Sequence, residues 1–309
     1  MKILIVKPSS FGDIVQALPC ANALKQAYRG CQITWVVFDD WKLLPKICTD
    51  IDEVITWNRK ENLKGFFDVL KKVRQTKYDI AIDLQGLLRS AILTKFSKSK
   101  IKIGVPGMKE FSNILIKEIY PQKSEINATL RNLETVHYLT GQSFDPKVNI
   151  KINANVDNII KDNKILKNFI VFMPFARGKD KDWGILNYQK LSSLLKVKYP
   201  DLNIVVLGSN NDYGKIKSSN VIDLCGKTNI DELASILVKS RVAVGADTGP
   251  MHLASVLSVP SVFIFGISDI NETAPHIGKF SLLINEKKSK DIKSISPDMV
   301  FDKILKWIK

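Results

Sequence analysis

Cysteine and histidine are scarce in this chain of 309 residues, which has four of the first and three of the second. Cys20, Cys31, Cys48 and Cys225 show no C-x-x-C spacing and the histidines are scattered, so neither a disulfide framework nor a structural zinc site is expected. No apolar run approaches the roughly 18 residues that a membrane span needs. The opening run Ile3 to Val6 meets Lys7, Pro8 and Asp13 too soon for a secretory signal, and reads as a first strand. A G-x-G-x-x-G dinucleotide fingerprint and a G-x-S-x-G nucleophile elbow are both missing. Low-complexity tracts and short repeats are missing too. These absences predict a reduced, cytoplasmic, globular protein.

What is present is an excess of positive charge: 46 Lys and Arg against 31 Asp and Glu, a formal +15. Nucleic acid, an anionic membrane surface and acidic small molecules all fit such a balance, as does a plain compositional bias toward lysine. Residues 1–150 carry 23 basic and 15 acidic side chains and residues 151–309 carry 23 and 16, so no basic tail or stripe accounts for the excess. Without a basic face interleaved with aromatics, a nucleic-acid role is not expected.

At 45% hydrophobic residues the chain is long enough for two cores of ordinary size. Short Ile- and Val-rich runs alternate with longer amphipathic stretches: Ile3 to Val6 then Ile14 to Tyr28, Ile33 to Phe38 then Trp41 to Ile47, Val54 to Trp57 then Leu63 to Gln75, Ile80 to Leu84 then Leu87 to Phe96. A strand from Ile101 to Val105 and helices through Ile119 and from Ala128 to Thr140 follow. The pattern fades between Gly141 and Lys167, then resumes with strands at Phe169, Ile204, Val221, Val242 and Val262. Ser296-Pro297-Asp298 opens a last amphipathic helix. Such alternation predicts two α/β domains built on parallel sheets, 1–155 and 156–309, with helix 297–309 a candidate to pack back on the first. Ligands of such sheets bind beyond the carboxyl ends of strands.

Three turns fall at those ends. Gly245-Ala246-Asp247-Thr248-Gly249-Pro250-Met251-His252 joins a strand to a helix and suits an anion held on a helix N-terminus, although Asp247 or Thr248 as a plain cap is the commoner reading of the local pattern alone. Lys7-Pro8-Ser9-Ser10-Phe11-Gly12-Asp13 places a carboxylate at a helix start, as a base or as a cap. Arg177 to Trp183 supplies several cations that would neutralise a pyrophosphate, or form a solvated loop. Asp212 closes another strand, within reach of ribose hydroxyls. Asp50-Ile51-Asp52 and Asp180-Lys181-Asp182 match the metal-binding D-x-D triplet, but the first precedes its strand and the second has a lysine at its centre, so neither is taken as a metal site.

Together, Lys7-x-Ser9-Ser10-x-Gly12-Asp13, Asp83-Leu84-Gln85-Gly86, Lys181-x-Trp183 and Asp247-Thr248-Gly249-Pro250-Met251-His252-Leu253, in this order, resemble glycosyltransferase family 9, the ADP-heptose:lipopolysaccharide heptosyltransferases, and most closely its type I members. The resemblance covers essentially the whole chain. It implies the GT-B architecture, two Rossmann-like domains whose parallel sheets face a central cleft, the first holding acceptor and the second nucleotide sugar. It implies inverting transfer of heptose from ADP-L-glycero-D-manno-heptose to the Kdo region of Kdo-lipid A, without metal or other cofactor. Asp13 matches the catalytic base. Lys181 matches the phosphate-binding lysine, and Asp247, Thr248, Gly249 and His252 the donor-binding turn; Asp212 falls near a ribose-binding acid and Thr228 near an adenine contact. Lys7, Ser9, Ser10 and Gly12 fall on the acceptor side, and Arg59, Lys60 and Lys64 where basic side chains meet the anionic acceptor. The partner surface implied is the inner leaflet of a Gram-negative inner membrane, where each surface cation adds on the order of 1 kcal/mol. Ala176 and Arg177 stand where the family often has small hydroxyl residues, and Asn127 where a histidine often precedes the arginine matched by Arg131. A later core acceptor, a different nucleotide sugar, or a non-catalytic nucleotide binder are the alternatives.

Overall fold

A computed structural model describes residues 1–119, 127–266, 269–284 and 291–308. It divides into two compact units, Met1–Lys151 and Ile152–Lys309. The first contains β1 (Lys2–Val6), α1 (Phe11–Ala17), α2 (Pro19–Ala27), β2 (Gln32–Phe38), α3 (Leu43–Lys46), β3 (Glu53–Trp57), α4 (Asn62–Val73), β4 (Lys77–Asp83), α5 (Leu88–Phe96), β5 (Lys98–Gly104), β6 (Lys117–Glu118) and α6 (Ala128–Thr140). The second contains α7 (Asp157–Asp162), β7 (Phe169–Met173), α8 (Ile185–Lys198), β8 (Asn203–Val206), β9 (Val221–Asp223), α9 (Ile230–Lys239), β10 (Ala243–Ala246), α10 (Gly249–Val256), β11 (Ser261–Phe265), α11 (Ile270–Thr273), β12 (Phe280–Ile284) and α12 (Pro297–Ile308).

Each unit carries one six-stranded sheet, ordered β3-β2-β1-β4-β5-β6 in the first and β12-β11-β10-β7-β8-β9 in the second. All registered pairs are parallel. Counted from its own first strand, each sheet therefore has the order 3-2-1-4-5-6, with the switch in winding direction between β1 and β4 and again between β7 and β10. Helices cover such sheets on both faces, so the inner strands have no polar side. That is why β7 and β11 read FIVFM and SVFIF and are buried at every residue. In the second unit Trp183, Tyr188, Val300 and Ile304 share one core on one face of the sheet, while Phe263, Phe265, Met251 and Ile236 fill the other.

The structure corrects the expected elements in three places. The first helix, expected as one piece from Ile14 to Tyr28, is two, because Pro19 has no N–H to bond one turn back and starts α2 instead. The helix expected to run through Ile119 is absent. Ser112–Ile114 forms only a 3-10 turn, and Lys117–Glu118 pairs with β5 as a short edge strand. The strand β12 continues the second sheet beyond β11. Val300 and Ile304 of the last helix lie in the core of the second unit, which leaves the expected packing on the first unit untested; Lys309 lies outside the described residues.

Candidate functional site

The switch between first and fourth strands is where a doubly wound sheet leaves a crevice at its carboxyl ends. In the first unit β1 leads there into Lys7–Asp13, and β4 into Leu84–Leu87. Asp13 is the third residue of α1 and is exposed. Ser10 donates to its Oδ2 twice, through the backbone N–H at 3.0 Å and the hydroxyl at 2.6 Å, which fixes the carboxylate at the helix start. Gly12 lies in the same first turn, and the Ser9 N–H donates to Gln85 Oε1 at 3.2 Å, tying the two turns together.

Beneath this turn lies a buried charged pair. Lys7 is 7% exposed and donates from Nζ to the Leu84 carbonyl at 2.9 Å. Burial pushes its ammonium below the usual lysine range, against the pull of Asp13 and Asp83. Asp83, fully buried, accepts on Oδ1 from the N–H groups of Gln85 and Gly86 at 2.8 and 2.9 Å, and on Oδ2 from the Ser90 hydroxyl at 2.9 Å. Burial still lifts it to about 6, because the three hydrogen bonds and Lys7 offset only part of the desolvation. The sequence reading placed Lys7 on the acceptor side; in the structure its ammonium sits under the turn and its field reaches Asp13.

In the second unit the loop after β7 brings Lys181 to the carboxyl end of β10. Two residues on, Trp183 is fully buried edge to face with Tyr188, ring centroids 4.8 Å apart, and donates to the Ile295 carbonyl at 2.7 Å, which anchors the loop. A side chain at Gly266 would meet the Asp180 carbonyl at 2.7 Å, so the end of β11 can lie against this loop only as glycine. Lys181 Nζ is 2.6 Å from Asp247 Oδ2, and His252 Nε2 is 2.8 Å from Asp247 Oδ1. Burial of Asp247 works against its charge, but the hydrogen bonds and charges of His252 and Lys181 outweigh it and hold the carboxyl at about 2. The Asp247 side chain is 4% exposed while Lys181 remains 34% exposed, leaving the lysine able to meet a ligand.

Thr248 is the N-cap of α10, yet its hydroxyl does not cap it. Thr248 Oγ1 is buried with no hydrogen-bond partner among the described residues. Gly249 and Pro250 open the helix, whose first N–H groups and positive end point the same way. An unpartnered hydroxyl, a helix N-terminus and a partly exposed lysine together offer the donors that an anion would use.

The remaining sequence candidates are spread over neighbouring loops. Asp212, after β8, accepts from the Ser209 N–H at 3.0 Å and hydroxyl at 2.5 Å and from Lys215 Nζ at 2.6 Å, and these donors hold it below the ordinary carboxylate range despite partial burial. Thr228 lies between β9 and α9, half-buried. Arg59 pairs with Asp40 at 2.8 Å, Lys64 lies 3.6 Å from Glu61, and Lys60 is exposed beside them. Two aromatic residues went unread in the sequence: Lys215 lies over the Phe175 ring at 5.3 Å and Lys227 over Tyr213 at 4.5 Å, at the same carboxyl ends. Phe175 sits two residues past β7 and packs against the core of the second unit.

Among the described residues no group of three His, Cys, Asp or Glu side chains could hold a metal ion. The four cysteines are unpaired and buried, and burial pushes Cys20 and Cys48 up to about 12, far from thiolate chemistry. No described helix is long and apolar enough to cross a membrane.

Residues 66–298 match the model of glycosyltransferase family 9 (heptosyltransferase). Lipopolysaccharide heptosyltransferase 1 of Salmonella typhimurium is 26% identical over 290 residues, covering 87% of this chain and 89% of that protein. Lipopolysaccharide heptosyltransferase 3 of Escherichia coli is 22% identical over 283 residues, 84% of this chain and 81% of that protein. Among solved structures, a family 9 glycosyl transferase from Veillonella parvula superposes with a TM-score of 0.87 at 18% identity, covering 99% of this chain and 97% of that one. The E. coli heptosyltransferase WaaC with ADP gives 0.81 at 20% identity, covering 99% of each chain. The fold of those structures, GT-B, is the fold of this chain.

Proposed function

Glycosyltransferase family 9 is the family to which this chain belongs, and from that premise we propose that it transfers heptose from ADP-L-glycero-D-manno-heptose to the Kdo region of the lipopolysaccharide inner core, with Kdo-lipid A as acceptor. The observation that carries the donor half is the Lys181–Asp247–His252 cluster beside the unpartnered Thr248 hydroxyl. A diphosphate seated at α10 would receive the Lys181 ammonium, the Thr248 O–H and the N–H groups of the first helical turn. These donors strengthen as charge builds on the departing ADP, which is the form of stabilisation that accelerates transfer.

On the acceptor side Asp13 is the base. Ser10 holds its Oδ2, and the carboxylate takes the proton of the attacking hydroxyl as that oxygen bonds to the anomeric carbon from the face opposite ADP, inverting the centre. Lys7 supplies positive charge below the turn, close enough for its field to reach the Asp13 carboxylate. Asp212 and Thr228 are assigned to ribose and adenine. Ser9, Gly12, Arg59, Lys60 and Lys64 are assigned to the anionic acceptor. The reaction needs no metal in this scheme, since Lys181 and the helix end neutralise the diphosphate. The site of action is the cytoplasmic face of the inner membrane.

The test is ADP release from ADP-heptose by the purified protein, with and without Kdo-lipid A, in EDTA. Release that depends on acceptor and survives chelation supports the scheme. Release lost in EDTA and restored by a divalent ion refutes its metal-free form. A similarity to lipopolysaccharide heptosyltransferase 3 favours one second reading, a later core acceptor; transfer to a heptosylated core but not to Kdo-lipid A would select it.

A further inference from the structure

Helix α4 follows β3 at the carboxyl end of the first sheet. Gly65, Val69 and Val73 are its buried residues. At about 100° per residue Leu63 and Phe67 fall on the opposite side, and they are 74% and 62% exposed. Lys64 and Lys71 lie along one side of that pair on the same helical projection, and Lys60 lies in the turn just before the helix. From Arg59 to Arg74 the sequence has six cations and two acids, Glu61 and Asp68. The exposed ring is not on a loose tip: Phe67 packs at 5.9 Å against Phe66, and Phe66 at 5.6 Å against Trp57, which is 3% exposed in the core. Phe111 and Ile114, in the stretch between β5 and β6, are as exposed; Lys117 near them donates to the Tyr138 hydroxyl at 2.6 Å while Lys109 is exposed, so this second patch is the natural control.

We propose that the outward face of α4 docks the protein on a bilayer of anionic lipid, Leu63 and Phe67 entering the interfacial layer while Lys60, Lys64 and Lys71 lie on the phosphate headgroups. Apolar side chains beside lysines are what such an interface selects, and Leu63 and Phe67, one turn apart, form a contiguous apolar pair next to Lys64 and Lys71. The placement deepens the reading of a lipid-borne acceptor and rests on it. β3 lies two strands from β1, roughly 10 Å at ordinary strand spacing, so the start of α4 lies at the same end of the sheet as the Asp13 turn. A glycolipid held in the bilayer beside α4 would offer its head group to that turn.

Co-sedimentation of the full chain with vesicles free of acceptor tests this, using phosphatidylglycerol and phosphatidylethanolamine against pure phosphatidylcholine at about 0.15 M salt. The expected result is binding to the anionic vesicles only, reduced about tenfold or more in the double variant Leu63→Ser/Phe67→Ser, with its melting temperature and its transfer to a soluble, deacylated acceptor unchanged. Phe111→Ser/Ile114→Ser is expected to bind as the parent does. Equal binding by the α4 variant and parent overturns the proposal, as does equal loss in both variants. Sedimentation velocity showing a dimer that only the α4 variant breaks would assign the face to a second copy and overturn it too. Because these vesicles lack acceptor, a failure of binding bears on this surface and a failure of transfer bears on the proposed reaction.

Discussion

Replacing Asp247 by Asn removes the negative charge between Lys181 and His252 while keeping the side chain's shape. The carboxyl stands at about 2 in the folded protein against an ordinary 3.8. That gap corresponds to roughly 2 kcal/mol of stability, and with the side chain 4% exposed little of it is screened by water. The sign follows from the direction of the shift. A carboxyl depressed on folding contributes in full at pH values above the ordinary one and loses that contribution as pH falls through 3.8 toward 2. Asp247→Asn should therefore be less stable than the parent by about 2 kcal/mol at pH 7, which for a unit of this size lowers its melting temperature by about 4–8 °C. The deficit should shrink toward zero as pH falls from about 5 to about 2. Urea unfolding of parent and variant at a series of pH values reads this directly, since carboxyls common to both cancel in the difference. Equal stability at pH 7, or a deficit that persists undiminished at pH 2.5, would refute the claim that charge pairing sets the energetics of this site.

Three further outcomes are expected. Thr248→Val should leave the melting temperature within about 2 °C, because the lost hydroxyl has no protein partner, yet weaken ADP binding about 5- to 100-fold by calorimetry; a large stability loss with unchanged affinity would make the residue structural. Asp13→Asn should lower turnover by about 10²–10⁴ with ADP affinity changed less than threefold, and normal turnover on a folded variant would end its assignment as base. Asp83 is raised by burial to about 6, so its ionisation costs stability that grows as pH climbs from 3.8 through 6. Asp83→Asn should accordingly gain on the parent by up to about 3 kcal/mol between pH 4 and pH 7 in urea unfolding, and a flat difference over that range would contradict the burial argument.

Much of the architecture was legible because buried parallel strands leave a plain signature. Ile3 to Val6, Phe169 to Met173 and Val262 to Phe265 are unbroken apolar runs, and each lies within a strand. The short elements were not legible. β6 is two residues long and is defined by the pairing of Lys117 with Ile103, a relation that no local period encodes. The break before Pro19 was legible in principle, since proline in a helical pattern marks a start, but the surrounding apolar period masked it. The site followed the same division. Residue types and order marked the turns at Asp13 and Asp247. What the sequence did not carry was the burial of Lys7 and Asp83, because that depends on β1 and β4 lying side by side although about 75 residues apart in the chain. Leu63 and Phe67 were hidden for the converse reason: their spacing reads as half of an ordinary core-facing stripe, and only the packed helix shows Val69 and Val73 facing in instead.

The two acids at the heart of the proposal show why residue type underdetermines chemistry. Asp13 and Asp247 each follow the strand next to their sheet's switch point, at or just before a helix start. Asp247 is enclosed, with an ammonium and an imidazole on its two oxygens, and at about 2 it stays ionised through any reaction near neutrality. It is a poor proton acceptor there; in the proposed scheme it fixes Lys181 and His252 around a phosphate. Asp13 is exposed, and the hydroxyl and N–H of Ser10 both fall on Oδ2, so Oδ1 is not used by that serine. An acid that must take a proton from an incoming hydroxyl needs that openness, and one that must hold two cations in place needs the enclosure. Exchanging the surroundings, rather than the residues, would exchange the roles.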